Sequence, residues 1–77
     1  MVETSTGARV RQARMRSALS QAQLAQLTGV AEATINRIEL GRNTQPRFVT
    51  VHKLAEALQV NPGWLLTGEG ERDARPA

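Results

Sequence analysis

The sequence predicts an all-α domain, and three observations carry that expectation. Ala, Leu, Gln and Arg dominate, aromatic residues make up 3% and Val and Ile are sparse, a composition that favours helices over strands. Apolar residues recur at three- and four-residue intervals in successive segments, the period of a helix with one buried face. Gly29, Gly41 and Gly68 fall just after such segments, where a chain leaving a helix turns through positive φ. The result is a compact domain of five helices and no strands.

Each element follows in order. The first five residues, MVETS, have no periodicity and are expected to be disordered. Ser5 or Thr6 can cap a helix through GARVRQARMRSA, where Val10, Ala13, Arg14 and Ser17 share a face. Leu19 leads into Ser20, an N-cap for QAQLAQLT, which carries Leu24, Ala25 and Leu27 on one side. After Thr28-Gly29 a third helix runs from about Ala31 to Leu40 with Ile35 and Ile38 inward. GRNTQPR reads as a loop by its Gly, Asn, Thr and Pro content. Phe48, Val51, Leu54, Ala55 and Leu58 then form a single helical stripe. Asn61-Pro62 opens a last short helix with Pro at its first position, ending after Trp64-Leu65-Leu66 at Gly68. Residues 69–77, EGERDARPA, read as a polar tail or linker. The domain is therefore 6–68.

Seventy-seven residues make one domain near the lower size limit for a single apolar core. Cysteine is absent and His52 is the lone histidine, so neither disulfides nor a Cys or His zinc site is expected. No apolar run approaches the ~18 residues of a membrane span and no signal-peptide pattern opens the chain; a cytoplasmic protein is expected. The net charge is +3, but between Thr6 and Thr67 eight Arg and Lys residues face only three Glu. A basic domain of this kind suits a polyanionic partner. With no Cys, no Tyr, no Gly-rich phosphate loop and no paired inward carboxylates, neither catalysis nor a cofactor is expected.

Residues 21–40 read QAQLAQLTGVAEATINRIEL. Two amphipathic helices joined by a tight glycine turn form a helix-turn-helix, the unit that sets its second helix in the DNA major groove. The pattern is complete, with an apolar residue at Leu24, Ala25 after it, Gly29 at the turn, then Val30, Ile35 and Ile38. The sequence resembles the Cro/repressor-type (XRE-like) helix-turn-helix domains of the phage-repressor family. The matching stretches are LSQAQLAQLTGV, TINRIELGR, PRF, LAEALQV and WLLTGEG, spanning Gly7 to Gly70. That resemblance implies a compact five-helix, lambda-repressor-like fold and a transcriptional regulator, most often a repressor, binding palindromic double-stranded DNA as a dimer. Ala31 stands where the family often has Ser, which leaves the third helix without its capping side chain.

The candidate DNA contacts follow from these placements. Gln21 begins the second helix, where backbone N–H groups and the helix dipole favour a phosphate. With Ile35 and Ile38 inward, Ala33, Asn36 and Arg37 face outward and Glu32 lies at the side; Ala31 and Thr34 are assigned to the same surface. Arg37 can pair with guanine or reach a phosphate, Asn36 with adenine, and Ala33 with a thymine methyl. Glu32 can accept from cytosine or complement the N-terminal dipole. The resemblance places Arg42, Asn43 and Arg47 against the sugar-phosphate backbone, with Arg47 near the minor groove; a solvated loop is the alternative. Arg14 and Glu39, on facing apolar stripes, are expected to pair as a structural ion pair. Trp64, Leu65 and Leu66 are expected to supply a weak dimer interface, or else to cap the core. The alternative function is an antitoxin-type module that holds a protein partner, a toxin, as well as DNA.

Overall fold

The computed structural model describes residues 5–74, and these form five helices: α1 (Thr6–Arg16), α2 (Gln21–Thr28), α3 (Glu32–Glu39), α4 (Phe48–Leu58) and α5 (Pro62–Thr67). The expectation of disorder over 1–5 lies outside the described residues except at Ser5, whose hydroxyl accepts from the Ala8 N–H and caps α1. Residues 75–77 of the expected tail also lie outside them. Among the described residues no helix is long and apolar enough to cross a membrane.

Local chemistry sets the helix ends. Ser20 and Gln23 form a reciprocal capping box at α2: the Ser20 hydroxyl accepts from the Gln23 N–H, and the Ser20 N–H donates to Gln23 Oε1. Gly29 ends α2 at φ 76°, a conformation that costs glycine little. Ala31 precedes α3 with no side-chain cap.

The core joins Val10 and Ala13 of α1, Leu24 of α2, Ile35 and Ile38 of α3, Val51, Leu54, Ala55 and Leu58 of α4, Val60, and Leu65 of α5. Two expected core residues lie outside it. Leu27 is 64% exposed, because the inward face of α2 passes from Leu24 to Thr28 four residues on. The Thr28 hydroxyl donates to the Leu24 carbonyl there, at 2.8 Å. Phe48 is 65% exposed, as is Val49 beside it at 52%, so the first turn of α4 is not covered, and the Phe48 ring stands edge-on to His52.

Two contacts of α1 were invisible as such in the sequence. A Cβ on Gly7 would overlap the Ile38 carbonyl oxygen, so glycine lets α1 lie directly on the α3 backbone. Arg9 is buried; its Nε donates to the Leu65 carbonyl at 3.0 Å and its Nη2 to the Leu66 carbonyl at 3.0 Å. Carbonyls at a helix end lack helical partners and favour a cation. Burial lowers the Arg9 pKa from its ordinary value, as desolvation of any cation does.

The segment read as a polar tail or linker folds back in part. Asp73 forms an isolated antiparallel bridge with Val60. The Asn61 N–H donates to the Arg72 carbonyl, the Ala74 N–H to the Gln59 carbonyl, and Asn61 Nδ2 to the Glu71 carbonyl at 2.7 Å. Asp73 also lies 3.7 Å from Arg16 of α1. Polar composition misled here, because main-chain pairing and one asparagine amide supply the docking.

Candidate nucleic-acid interface

The turn between α2 and α3 brings the start of one helix against the middle of the other. Gln21 Nε2 donates to Glu39 Oε1 at 3.1 Å, and Gln21 Oε1 accepts from Asn36 Nδ2 at 3.3 Å. Gln21 is thus half-buried between α2 and α3, retaining one side-chain N–H for an outside acceptor.

Behind it, Arg14 and Glu39 meet in a two-point contact: Nε donates to Oε2 at 2.7 Å and Nη2 to Oε1 at 2.9 Å. Arg14 Nη1 also donates to the Leu19 carbonyl at 2.9 Å. The Glu39 side chain is 3% exposed. Hydrogen bonding to Glu39 is the largest cause raising the Arg14 pKa above its ordinary value, reinforced by the carboxylate charge and opposed by desolvation. The pair fixes α1 against α3, with the Glu39 side chain buried and Arg14 partly so.

The outer side of α3 carries Ala31, Glu32, Ala33, Asn36, Arg37 and Leu40, all exposed, with Thr34 half-buried beside them. Its inner side is fixed by Ile35 and Ile38, both fully buried. The connection to α4 folds back on α3: the N–H groups of Arg42 and Asn43 both donate to the Arg37 carbonyl. Asn43 Oδ1 accepts from the Gln45 N–H at 3.3 Å, so half of its amide is spent on the turn. Arg47 is the N-cap residue of α4 and gives no side-chain cap. None of the ion pairs among the described residues involves Arg37, Arg42 or Arg47, and all three are exposed. Arg37 on this mixed polar and apolar face, with Arg42 and Arg47 after it, thus gives three guanidinium groups without an ion pair, a surface suited to phosphates.

The expected dimer residues divide. Leu65 is fully buried in the domain's own core and cannot reach a second copy while the fold persists, which corrects its assignment to a dimer contact. Leu66 is 38% exposed and Trp64 half-buried, so only these two of the three are available at the surface. One apolar residue of three consecutive ones on a short helix must face inward, and the core claims Leu65.

Two helices joined at Gly29, the second exposing a polar face beside unpaired arginines, define a helix-turn-helix domain. Residues 6–67 match the model of the family described as helix-turn-helix domain. The chain is 40% identical over 73 residues to the HTH-type transcriptional regulator PrtR of Pseudomonas aeruginosa, covering 95% of this chain and 28% of that protein. It is 43% identical over 56 residues to the HTH-type transcriptional repressor RghR of Bacillus subtilis, covering 73% of this chain and 42% of that one. The crystal structure of the P22 c2 repressor in complex with a synthetic operator superposes with a TM-score of 0.80 at 31% identity, covering 87% of this chain and all of that one. The chain belongs to the helix-turn-helix family, of the Cro/repressor (XRE-like) type. It spans less than half the length of these two curated relatives.

Proposed function

We propose that this chain is the DNA-binding part of a sequence-specific transcriptional repressor, which lays α3 in the major groove of a palindromic operator and acts as a dimer. The observation that supports this reading is the two-sidedness of α3. Ile35 and Ile38 are fully buried, while Ala33, Asn36 and Arg37 are exposed beside Arg42 and Arg47. In this reading Arg37 pairs with guanine and Ala33 meets a thymine methyl. Glu32 lies at the edge of the groove and complements the α3 dipole. Arg42, Asn43, Arg47 and the start of α2 at Gln21 hold the sugar-phosphate backbone. Ala31 and Thr34 pack along the groove wall. Trp64 and Leu66, with the exposed Phe48 and Val49 of α4, supply the apolar surface for a weak dimer completed on DNA. The natural setting is the cytoplasm.

Selection of bound duplexes from a random library, followed by titration between about 50 and 200 mM salt, tests the reading. One enriched site with a steep fall of affinity with salt is expected. Arg37→Ala should relax preference at one base pair, whereas Arg42→Ala should weaken every site alike and reduce the salt slope by about 1. No enriched site, or a flat slope, refutes it.

A further inference from the structure

Each helix of the domain is preceded by a residue that either caps it through its side chain or has no acceptor to do so, with one exception. Ser5 and Ser20 cap α1 and α2 through their hydroxyls, while Ala31 and Arg47, before α3 and α4, carry no side-chain acceptor. Asn61, before α5, is among the strongest capping residue types. Its backbone already holds the extended geometry of a cap, at φ −76° and ψ 131°, and its carbonyl accepts from the Leu65 N–H. Its side chain nonetheless makes no cap bond. The amide is turned the other way: Nδ2 donates to the Glu71 carbonyl at 2.7 Å and to the Asp73 carbonyl at 3.3 Å.

Residues 71–74 lie as a strap across the turn between α4 and α5. Main-chain bonds from Asn61 to Arg72 and from Ala74 to Gln59 pair it with that turn. None of its four residues is buried, and its contact with α1 joins the half-exposed side chains of Arg16 and Asp73, a kind of pair that stabilises little. The strap is lightly seated, and Asn61 grips its main chain at two points. We propose that Asn61 is a two-position latch. With the strap docked, its NH2 holds the carbonyls of Glu71 and Asp73. With the strap lifted, rotation of the side chain brings Oδ1 to the N–H of Gly63 or Trp64 and caps α5; Pro62 leaves no N–H at the first helical position. Displacing the strap is thus answered in the first turn of α5, the helix that carries Trp64 and Leu66. The latch does not depend on DNA binding.

Amide hydrogen exchange, residue by residue in the 77-residue chain, tests the latch. Asn61→Asp keeps the shape and the capping oxygen but has no donor. It should lower protection at the Ala74 amide by about fivefold or more and raise it at Gly63 or Trp64 by about as much. Asn61→Ala should lower protection at Ala74 with no gain at Gly63 or Trp64. Ala74→Pro removes the N–H that bonds Gln59 and leaves Asn61 in place. It should lower protection at the Asn61 amide and raise it at Gly63 or Trp64, because the native side chain is then free to swing to α5. Circular dichroism matching the parent's in each variant excludes unfolding as the cause. If Ala74 keeps its protection in Asn61→Asp, the main chain holds the strap unaided and the proposal is overturned. It is overturned equally if Ala74→Pro frees the strap while Gly63 and Trp64 stay as unprotected as in Asn61→Ala.

Discussion

Helices α3 and α5 are both short, eight and six residues, and both are tied to α1 by an arginine of that helix, yet the two ties differ in kind. Arg14 holds α3 through the carboxylate of Glu39, a side chain that only an acidic residue supplies. Arg9 holds α5 through the carbonyls of Leu65 and Leu66, atoms that any residue supplies. The first tie is written in two residue types and continues outward to Gln21 and Asn36. On the α5 side the second asks for no particular residue type, because the atoms it meets there are main-chain carbonyls. What α3 gains is a link between its inner and outer faces; α5 has Leu65 in the core and a cation at its carbonyl end.

The comparison is broken most severely at α5 itself. Leu65→Glu places a carboxylate where Leu65 is fully buried; removing the leucine costs about 2–5 kcal/mol, and burying the charge adds several more. Against a total stability of about 5–15 kcal/mol, loss of the helical circular dichroism signal at room temperature is expected. A helical monomer with only its dimerisation lost would show that α5 is peripheral to the core.

Glu39→Ala comes next. It leaves Arg14 partly buried without its carboxylate, and a loss of about 3–5 kcal/mol in denaturant unfolding is expected. Arg14→Met combined with Glu39→Leu should recover much of that loss, because replacing a buried pair with apolar groups is often neutral. A loss below about 1 kcal/mol for Glu39→Ala would class the contact with surface pairs.

Arg9→Met should be milder. The aliphatic stem is kept, and the charged hydrogen bonds to the α5 carbonyls account for about 1.5–3 kcal/mol. Thermal unfolding measures it. A cost equal to that of Glu39→Ala would erase the distinction between a main-chain and a side-chain partner.

The same distinction explains how much was legible beforehand. All five helices and their glycine stops could be placed from periodicity and Gly or Pro positions, because these signals are local. Arg14 and Glu39 could be matched because both partners carry charge and both lie on apolar stripes. Arg9 could not: the α5 atoms it bonds are carbonyls, which leave no mark in the sequence. The return of residues 71–74 onto Gln59–Asn61 was hidden for the same reason, since main-chain pairing leaves no mark in composition. Leu27, Phe48 and Leu65 show a second limit. Helical spacing tells which side of a helix is apolar, but whether a neighbour covers a given turn depends on where the other helices end. The outward set on α3 is legible from the helical placement of Ile35 and Ile38 on its inner side. The Gln21–Asn36 link was not, because it depends on which amide atoms face each other.

Gly7 has no side chain and lies against the back of α3, on the Ile38 carbonyl. Its hydrogen is the spacer that sets how closely α1 supports the helix in front. A methyl group there has nowhere to go but into main chain, and backbone yields by moving as a unit. The movement would be delivered to α3 near its C-terminal end and carried along a rigid rod to Asn36 and Arg37, whose side chains would shift together. The pitch of the exposed face is thus adjustable from behind. The spacing behind α3 is set by the one residue type that has no side chain.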